Sequence, residues 1–311
     1  MKAVVYARYG APEVLQLVDI PKPQPKANEV LIRVHATSVT IGDVRMRSFT
    51  VPRGQWLFAR LYLGILKPRR PMLGMELAGE IEAIGSAVTR FQVGDAVFAS
   101  TFDANFGGYA EYKCMKADGP LAIKPANLTF AEAAVAVGGG ISALRCLQRG
   151  ALQPGQKILI YGASGSIGTN AVQLARNHFG AAVTGVCSTA NLELVKSLGA
   201  AEVIDYTRED FTQHGATYDV VFDAVAKFPP ARAKHALKPG GIYLNAHRDT
   251  HARSGLTMQQ ELLLLKELLE AGKLKPVIDR SYPLAQIVEA HRYVETGHKR
   301  GNVAITLTPA P

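Results

Sequence analysis

Three glycines, Gly162, Gly165 and Gly168, recur at a spacing of three in the stretch "YGASGSIG". Glycine allows turns and close approaches that a Cβ forbids, so a run of this kind curls main-chain amides around an anion. The flanks decide which anion. "KILIY" reads as a buried strand and "SIGTNAVQLA" as an amphipathic helix, the setting of a dinucleotide-binding turn. There the first glycine makes the tight turn, the middle one admits a diphosphate and the third lets helix pack on strand. A mononucleotide loop is excluded, since no Lys-Ser/Thr follows the last glycine.

The next strand, "AVTGVCS", ends at Cys187, Ser188 and Thr189 with no carboxylate. An NAD site usually places Asp or Glu there for the ribose 2′-hydroxyl. Small hydroxyls leave room for a 2′-phosphate, so NADP(H) is favoured over NAD(H). No Arg or Lys clamp stands in that loop.

The elements that must position this turn alternate regularly. Strand 157–161 leads to helix 166–179, strand 182–187, helix 191–198 and strands 202–206 and 218–225. Helix 230–237 and strand 241–246 follow, then helices over 258–271 and 284–296 and a closing strand, "NVAITLT". Val/Ile-rich runs between helices predict a parallel sheet covered on both faces. The residues before about 124 read differently, as short strands with Gly and Asp turns ("KAVVYA", "EVLIRVHA", "ELAGEIEAIGS", "GDAVFAS"). The chain has 311 residues, which suits two domains.

No segment holds about 18 consecutive apolar residues. The first residues read as a strand rather than a signal peptide. Cys114, Cys146 and Cys187 are scattered, with no CxxC pair, which points to a reducing, cytoplasmic setting. His247 and His251 have the i, i+4 spacing of a metal pair, but they follow a strand and run into Arg-Ser-Gly, as a surface loop does.

Net charge is +9. Between Val44 and Met75 stand seven basic residues, Arg45, Arg47, Arg53, Arg60, Lys67, Arg69 and Arg70, and no acid. Within that stretch "RGQWLFARLYLGILKPRR" is a hydrophobic helical turn or two framed by cations. One reading is a lid over a substrate cleft. The other is peripheral contact with an anionic membrane, Trp56, Leu57, Phe58, Leu61, Tyr62 and Leu63 dipping into the interface. No RNA-binding motif accompanies the charge.

Over nearly its whole length the chain resembles the medium-chain dehydrogenase/reductase superfamily, in its zinc-independent quinone oxidoreductase-like branch. The likeness runs in order through "KAVVYARYGAPEVLQL", "MLGMELAGEIEAIGSAVTRFQVGDAVFA", "GGYAEYKCM", "LQPGQKILIYGASGSIGTNAVQLA" and "SLGAAEVIDY". It implies an α/β fold: a GroES-like β-rich catalytic domain over 1–123, rejoined by 273–311, and a Rossmann doubly wound parallel sheet over 124–272. It implies NADPH in the cleft between them. Zinc enzymes of the superfamily ligate metal through a Cys and the His of a "GHE" motif; the matching positions here are Thr40 and Met75. Neither ligates zinc usefully, and the four-cysteine zinc lobe is absent. The implied chemistry is metal-free hydride transfer to quinones or activated α,β-unsaturated carbonyls, whose electron-poor π-system stabilises the developing charge. An enoyl reductase acting on lipid-derived or thioester substrates is one alternative. An NADPH-binding scaffold or RNA binder with little turnover is another.

The resemblance carries Gly162, Ala163, Ser164, Gly165, Ser166, Ile167 and Gly168 to the diphosphate, and Ser188 and Tyr206 to the adenosine 2′-phosphate. It carries Ala224, Val225 and Asn245 to the adenine, ribose and nicotinamide, and Ser142 to the nicotinamide ribose. Arg300 and Asn302 stand where an "RGK" faces the cofactor. The family's "NxxD" is here Thr40-Ile41-Gly42-Asp43, and its tyrosine two residues on is Arg45. Asp43, Arg45 and Tyr62 are the candidate proton donors. The stretch after Asn245 is shorter than this branch carries in the region that builds the last strand of the sheet, often used to pair a homodimer.

Overall fold

The structure, a computed structural model, describes residues 1–50, 56–65, 67–215, 217–250 and 255–307, apart from the side chains of Phe58, Tyr62 and His214. In chain order the elements are β1 (Lys2–Val5), β2 (Gln16–Asp19), β3 (Glu29–Ser38), α1 (Ile41–Ser48), α2 (Trp56–Leu63), β4 (Glu76–Ile84), β5 (Ala96–Ser100), β6 (Tyr112–Lys116) and β7 (Leu121–Ile123). Then come α3 (Phe130–Arg149), β8 (Lys157–Tyr161), α4 (Ser166–Asn177), β9 (Ala182–Cys187), α5 (Leu192–Ser197), β10 (Glu202–Asp205) and β11 (Tyr218–Asp223). The chain continues through α6 (Pro230–Ala233), β12 (Leu237–Asn245), α7 (Ala246–Asp249), α8 (Met258–Glu270), β13 (Ile278–Pro283), α9 (Ile287–Glu295) and β14 (Asn302–Thr306). Two compact units emerge: residues 1–138, 258–263 and 278–311 form one, and residues 139–257 and 264–277 the other.

The first unit is built on a sheet of order β13-β14-β3-β4-β5-β7, with β6 also paired to β3 and a separate β1-β2 hairpin. Only β13 and β14 pair in parallel; the other ladders of the sheet are antiparallel. Val30, Ile32 and Val34 of β3 are buried with Leu77, Ile81, Val97 and Met115. A second cluster gathers Val4, Tyr6, Leu73 and Tyr109 with Ile287, Ala290 and Val294 of α9 and Ile305 of β14. The late strand β14 lies inside this sheet, between β13 and β3.

The second unit holds the expected all-parallel sheet, in the order β10-β9-β8-β11-β12. β8 is the first strand in sequence and sits centrally, so its two neighbours, β9 and β11, leave in opposite directions. This is a topological switch point, and its carboxyl end is where open α/β sheets take ligands. Leu159, Val186, Ile204, Val221 and Phe211 pack with Phe228, Ala233 and Ala236 on one side of it. Among the described residues no strand follows β12 in this sheet. α3 is apolar and long enough to cross a bilayer, but its most apolar stretch is mostly buried inside the fold, as in a core helix.

The predicted helix 230–237 is shorter than expected. α6 closes at Ala233, where the Ala236 N–H turns back to the Ala233 carbonyl at 3.0 Å. The Ala236 carbonyl then accepts from the N–H groups of Thr217 and Tyr218, both at 3.0 Å, drawing the chain into β12 four residues before the predicted strand. Sheet pairing overrides helix propensity there, and Pro239 is tolerated because β12 is an edge strand. His247 lies exposed on the short helix α7 rather than in a loop, and His251 falls outside the described residues.

Candidate functional site

The glycine turn joins β8 to α4 at the switch point. Gly162 has φ +76°, and a Cβ there would meet Val225 Cγ1 at 2.6 Å. At Gly168 a Cβ would lie 2.1 Å from the Gly162 carbonyl oxygen, so α4 can close onto the turn only without a side chain. Gly165 is the N-cap of α4 and offers no capping side chain. The first-turn amides and the positive end of the helix dipole are therefore suited to an anion. Ala163 is buried, while Ser164, Ser166 and Ile167 are half-buried around the turn. Main-chain bonds from Gly162 and Ala163 to the Val186 carbonyl, both 3.0 Å, fix the turn against β9. This cradle fits a dinucleotide diphosphate.

At the end of β9 the Ser188 hydroxyl accepts from Asn191 Nδ2 at 3.0 Å, and the same amide group reaches the Ser164 hydroxyl at 3.2 Å. The structure adds a carboxylate that reading along β9 alone misses. Asp205 ends β10 in register with Cys187. Its oxygens are taken up internally: Oδ2 accepts from the Thr189 hydroxyl at 2.5 Å, and Oδ1 accepts from the Thr207 amide at 3.0 Å and hydroxyl at 2.7 Å. Arg208 stands 3.5 Å from it. These hydrogen bonds, led by Thr189, hold the Asp205 carboxyl below the usual range. Tyr206 is exposed, its ring 6.1 Å from that of Tyr161.

After β11, Ala224 is buried and donates its N–H to the Tyr161 carbonyl at 3.0 Å. Val225 is more exposed, and its N–H goes to Asp223 at 3.2 Å. Asp223, unremarked in the sequence, is fully buried and also accepts from the Phe228 N–H at 3.1 Å, so it shapes this turn. Asn245 caps α7 through its Oδ1, which accepts from the His247 N–H at 3.0 Å. Ser142 is half-buried on α3.

The candidates in the first unit fall into distinct settings. Thr40 and Met75 meet, the hydroxyl 3.6 Å from the sulfur. Asp43 is fully buried and closes a capping box on α1: the Thr40 amide and hydroxyl donate to it at 2.9 and 2.6 Å, and its own N–H donates to the Thr40 hydroxyl at 3.1 Å. Its other oxygen accepts the Gly74 N–H at 2.9 Å. Burial pushes its carboxyl up against these bonds. Arg45 is half-buried, and burial lowers its guanidinium. The Tyr62 side chain lies outside the described residues. Arg300 is exposed, its N–H bonded to Asp279 at 2.9 Å, and Asn302 is buried at the start of β14. Among the described residues no three His, Cys, Asp or Glu side chains gather as a metal group.

Sequence reading passed over the residue next to Met75. Glu76 is fully buried; the Ser38 hydroxyl and the Gly138 N–H donate to its carboxyl. Burial pushes that carboxyl up to about 7. Lys299 is held down at about 8 by burial, against the pull of Asp279 and Glu76. The only hint was the place of Glu76 after Met75, in "GMEL".

Residues 26–126 match a family model described as the alcohol dehydrogenase GroES-like domain, and residues 198–305 one described as zinc-binding dehydrogenase. Over 99% of its length the chain is 34% identical to the 2-methylene-furan-3-one reductase of Solanum lycopersicum, covering 80% of that protein. It is 33% identical to the chloroplastic NADPH-dependent alkenal/one oxidoreductase of Arabidopsis thaliana, covering 99% of this chain and 80% of that one. To the quinone oxidoreductase of Homo sapiens it is 32% identical over 96% of this chain and 94% of the other. Among solved structures, the quinone oxidoreductase from Coxiella burnetii matches with a TM-score of 0.81 at 28% identity, covering 99% of each chain. With a switch-point glycine turn in one unit, a GroES-like match in the other and relatives aligned along nearly the whole length, the chain belongs to the medium-chain dehydrogenase/reductase superfamily, among its quinone oxidoreductase-like members.

Proposed function

We propose that the protein is an NADPH-dependent oxidoreductase that delivers hydride to quinones or activated α,β-unsaturated carbonyls without a metal. The observation that carries this reading is the end-to-end likeness to reductases named for conjugated carbonyls and quinones. The bound nicotinamide supplies the hydride; the protein binds, orients and excludes water. The turn from Gly162 to Gly168 takes the diphosphate. Ser142, Ala224, Val225 and Asn245 serve the nicotinamide side; Arg300 and Asn302 are further candidate cofactor residues by the family likeness.

NADPH rather than NADH is supported at the end of β9. The carboxylate that comes near, Asp205, has its oxygens committed to Thr189 and Thr207 and a cation beside it. Ser188, Tyr206 and the exposed Arg208 are left to meet a 2′-phosphate. The acceptor needs little Lewis-acid help, which suits Thr40 and Met75 at the ligand positions. Among the candidate proton donors, Asp43 has both carboxylate oxygens engaged in hydrogen bonds, which favours Arg45 or Tyr62. The three cysteines are free, which supports a cytoplasmic site of action. The open edge of β12 offers a route to a homodimer, which sedimentation would read.

The test is NADPH oxidation followed by absorbance with a panel of quinones, enones and enoyl thioesters. Turnover with the first two supports the proposal, and turnover confined to thioesters replaces it with an enoyl reductase. Tight NADPH binding with no turnover across the panel would sink the enzyme reading.

A further inference from the structure

The described residues between Trp56 and Arg70 are not part of the cofactor turn, yet they have a defined local structure. Trp56, Leu57, Leu61 and Ile65 are 52, 63, 49 and 59% exposed. At the α-helical angle per residue, the first three fall in one arc of about 140° on α2. Solvent therefore meets an apolar stripe crossed by one cation, Arg60, and such a stripe marks an interaction surface. Arg60 falls within the same arc, between Trp56 and Leu57, and ties the helix to its unit. The Arg60 guanidinium packs over the rings of Phe49, Tyr9 and Trp56 at 3.9, 5.1 and 5.2 Å.

Beyond α2 the chain folds back on the helix end. The Arg69 N–H donates to the Leu63 carbonyl at 2.7 Å, Arg60 Nη1 to the Ile65 carbonyl at 2.9 Å and the Tyr9 hydroxyl to the Gly64 carbonyl at 3.2 Å. Gly64 has φ +122°, and a Cβ there would lie 2.0 Å from the Lys67 carbonyl oxygen, so only glycine makes this turn. The turn brings the exposed Lys67 and Arg69 into the chain shortly after Ile65, while the Arg70 guanidinium packs over the Phe106 ring at 5.1 Å. A pocket of about 450 Å³ opens among Arg69, Arg70, Pro71, Met72 and Asn105. No acid occurs between Val44 and Met75, so the segment itself offers nothing to repel an anion.

The geometry points to a peripheral docking surface for an anionic lipid bilayer. Trp56, Leu57, Leu61 and Ile65 enter the interface, and Lys67 and Arg69 meet the acidic headgroups. An apolar stripe flanked by cations fits a surface that is apolar within and negative at its face. A neutral protein partner would leave those cations unmatched.

Trp56 is the chain's one tryptophan, so its fluorescence reports this surface alone. The full chain is titrated with phosphatidylcholine vesicles with and without phosphatidylserine. The expected result is a blue shift of Trp56 and co-sedimentation with the serine-lipid vesicles only, both reversed by salt. Lys67→Glu with Arg69→Glu should weaken partitioning about tenfold or more. Leu57→Glu with Leu61→Glu should abolish the blue shift. Circular dichroism and NADPH binding, which do not need the stripe, establish that each variant is folded. Failure to bind the anionic vesicles at low salt overturns the proposal. So does equal binding to neutral vesicles. A Trp56 shift produced by a quinone or enone without vesicles, and not by vesicles, overturns it in favour of a substrate lid. Vesicle binding needs no turnover, so its failure is separable from failure of the proposed reaction.

Discussion

The Thr40 hydroxyl lies 3.6 Å from the Met75 sulfur, so the two positions that the family resemblance matches to zinc ligands converge on one point. What changed is the donors: a neutral hydroxyl, hydrogen-bonded to Asp43, and a thioether. Exhaustive dialysis against a chelator should leave turnover unchanged. An activity lost on dialysis and restored by zinc would refute the metal-free reading.

Gly168 leaves no space for a methyl group, since its Cβ would lie 2.1 Å from the Gly162 carbonyl oxygen. Gly168→Ala should push α4 off the turn and weaken NADPH binding by about a hundredfold or more, the scale of losing one or two charge-assisted hydrogen bonds. Calorimetric titration reads this directly, and wild-type affinity in the variant would remove the turn from the cofactor site.

Cofactor choice should respond to two side chains beside Asp205. Arg208→Ala is expected to raise the KM for NADPH about tenfold and leave that for NADH nearly unchanged. Ser188→Asp should reverse the preference, because a carboxylate there repels a 2′-phosphate and accepts from a ribose hydroxyl. Equal effects on both cofactors would show that neither residue reads the phosphate.

His291 is fully buried, and its Nε2 lies 3.2 Å from the Tyr109 hydroxyl. Burial, with the Arg47 charge, pushes the imidazole down to about 3. The folded state thus refuses a proton that the unfolded chain takes up below about 6.5. Stability from this group is present above that pH and is lost as pH falls toward 3, by at most about 5 kcal/mol. Urea unfolding at neutral and mildly acid pH should show the loss in wild type and a flatter profile in His291→Gln.

Glu76 carries the opposite sign. Its folded carboxyl titrates at about 7, above the unfolded value, so its contribution is present at acid pH and is lost as pH rises through neutrality. Glu76→Gln keeps an acceptor for the Gly138 N–H and a partner for Ser38 without the charge. It should therefore gain on wild type at pH 8, while Glu76→Ala strands a buried donor and should cost about 1–3 kcal/mol. Thermal melts at pH 5 and 8 separate the two.

Much of this was legible in the residues because period and punctuation coincide. The Val/Ile runs of β8, β9 and β11 and the glycine spacing belong to one local pattern, so strand, turn and helix could be read together. α6 was overestimated because the pull of Thr217 and Tyr218 on the Ala236 carbonyl comes from a distant strand, and no local signal carries it. The settings of Asp43, Asp205 and Glu76 were hidden for the same reason. Each carboxylate is defined by donors, such as Gly74, Thr189 and Gly138, that only the folded chain brings near. Sequence could name an acid, but not say whether its lone pairs were already occupied.

The place of β14 between β13 and β3 also sets an order of assembly during synthesis. The sheet that begins with β3 cannot be completed until Asn302–Thr306 has left the ribosome, because those residues form an inner strand of it. The parallel sheet, by contrast, needs nothing beyond Asn245, and its unit nothing beyond Val277. The glycine-turn unit is thus free to fold while the first-made unit still waits, with β3 apolar and incompletely paired. Vectorial synthesis ordinarily favours the N-terminal domain; here it leaves that domain the longer-lived client of chaperones.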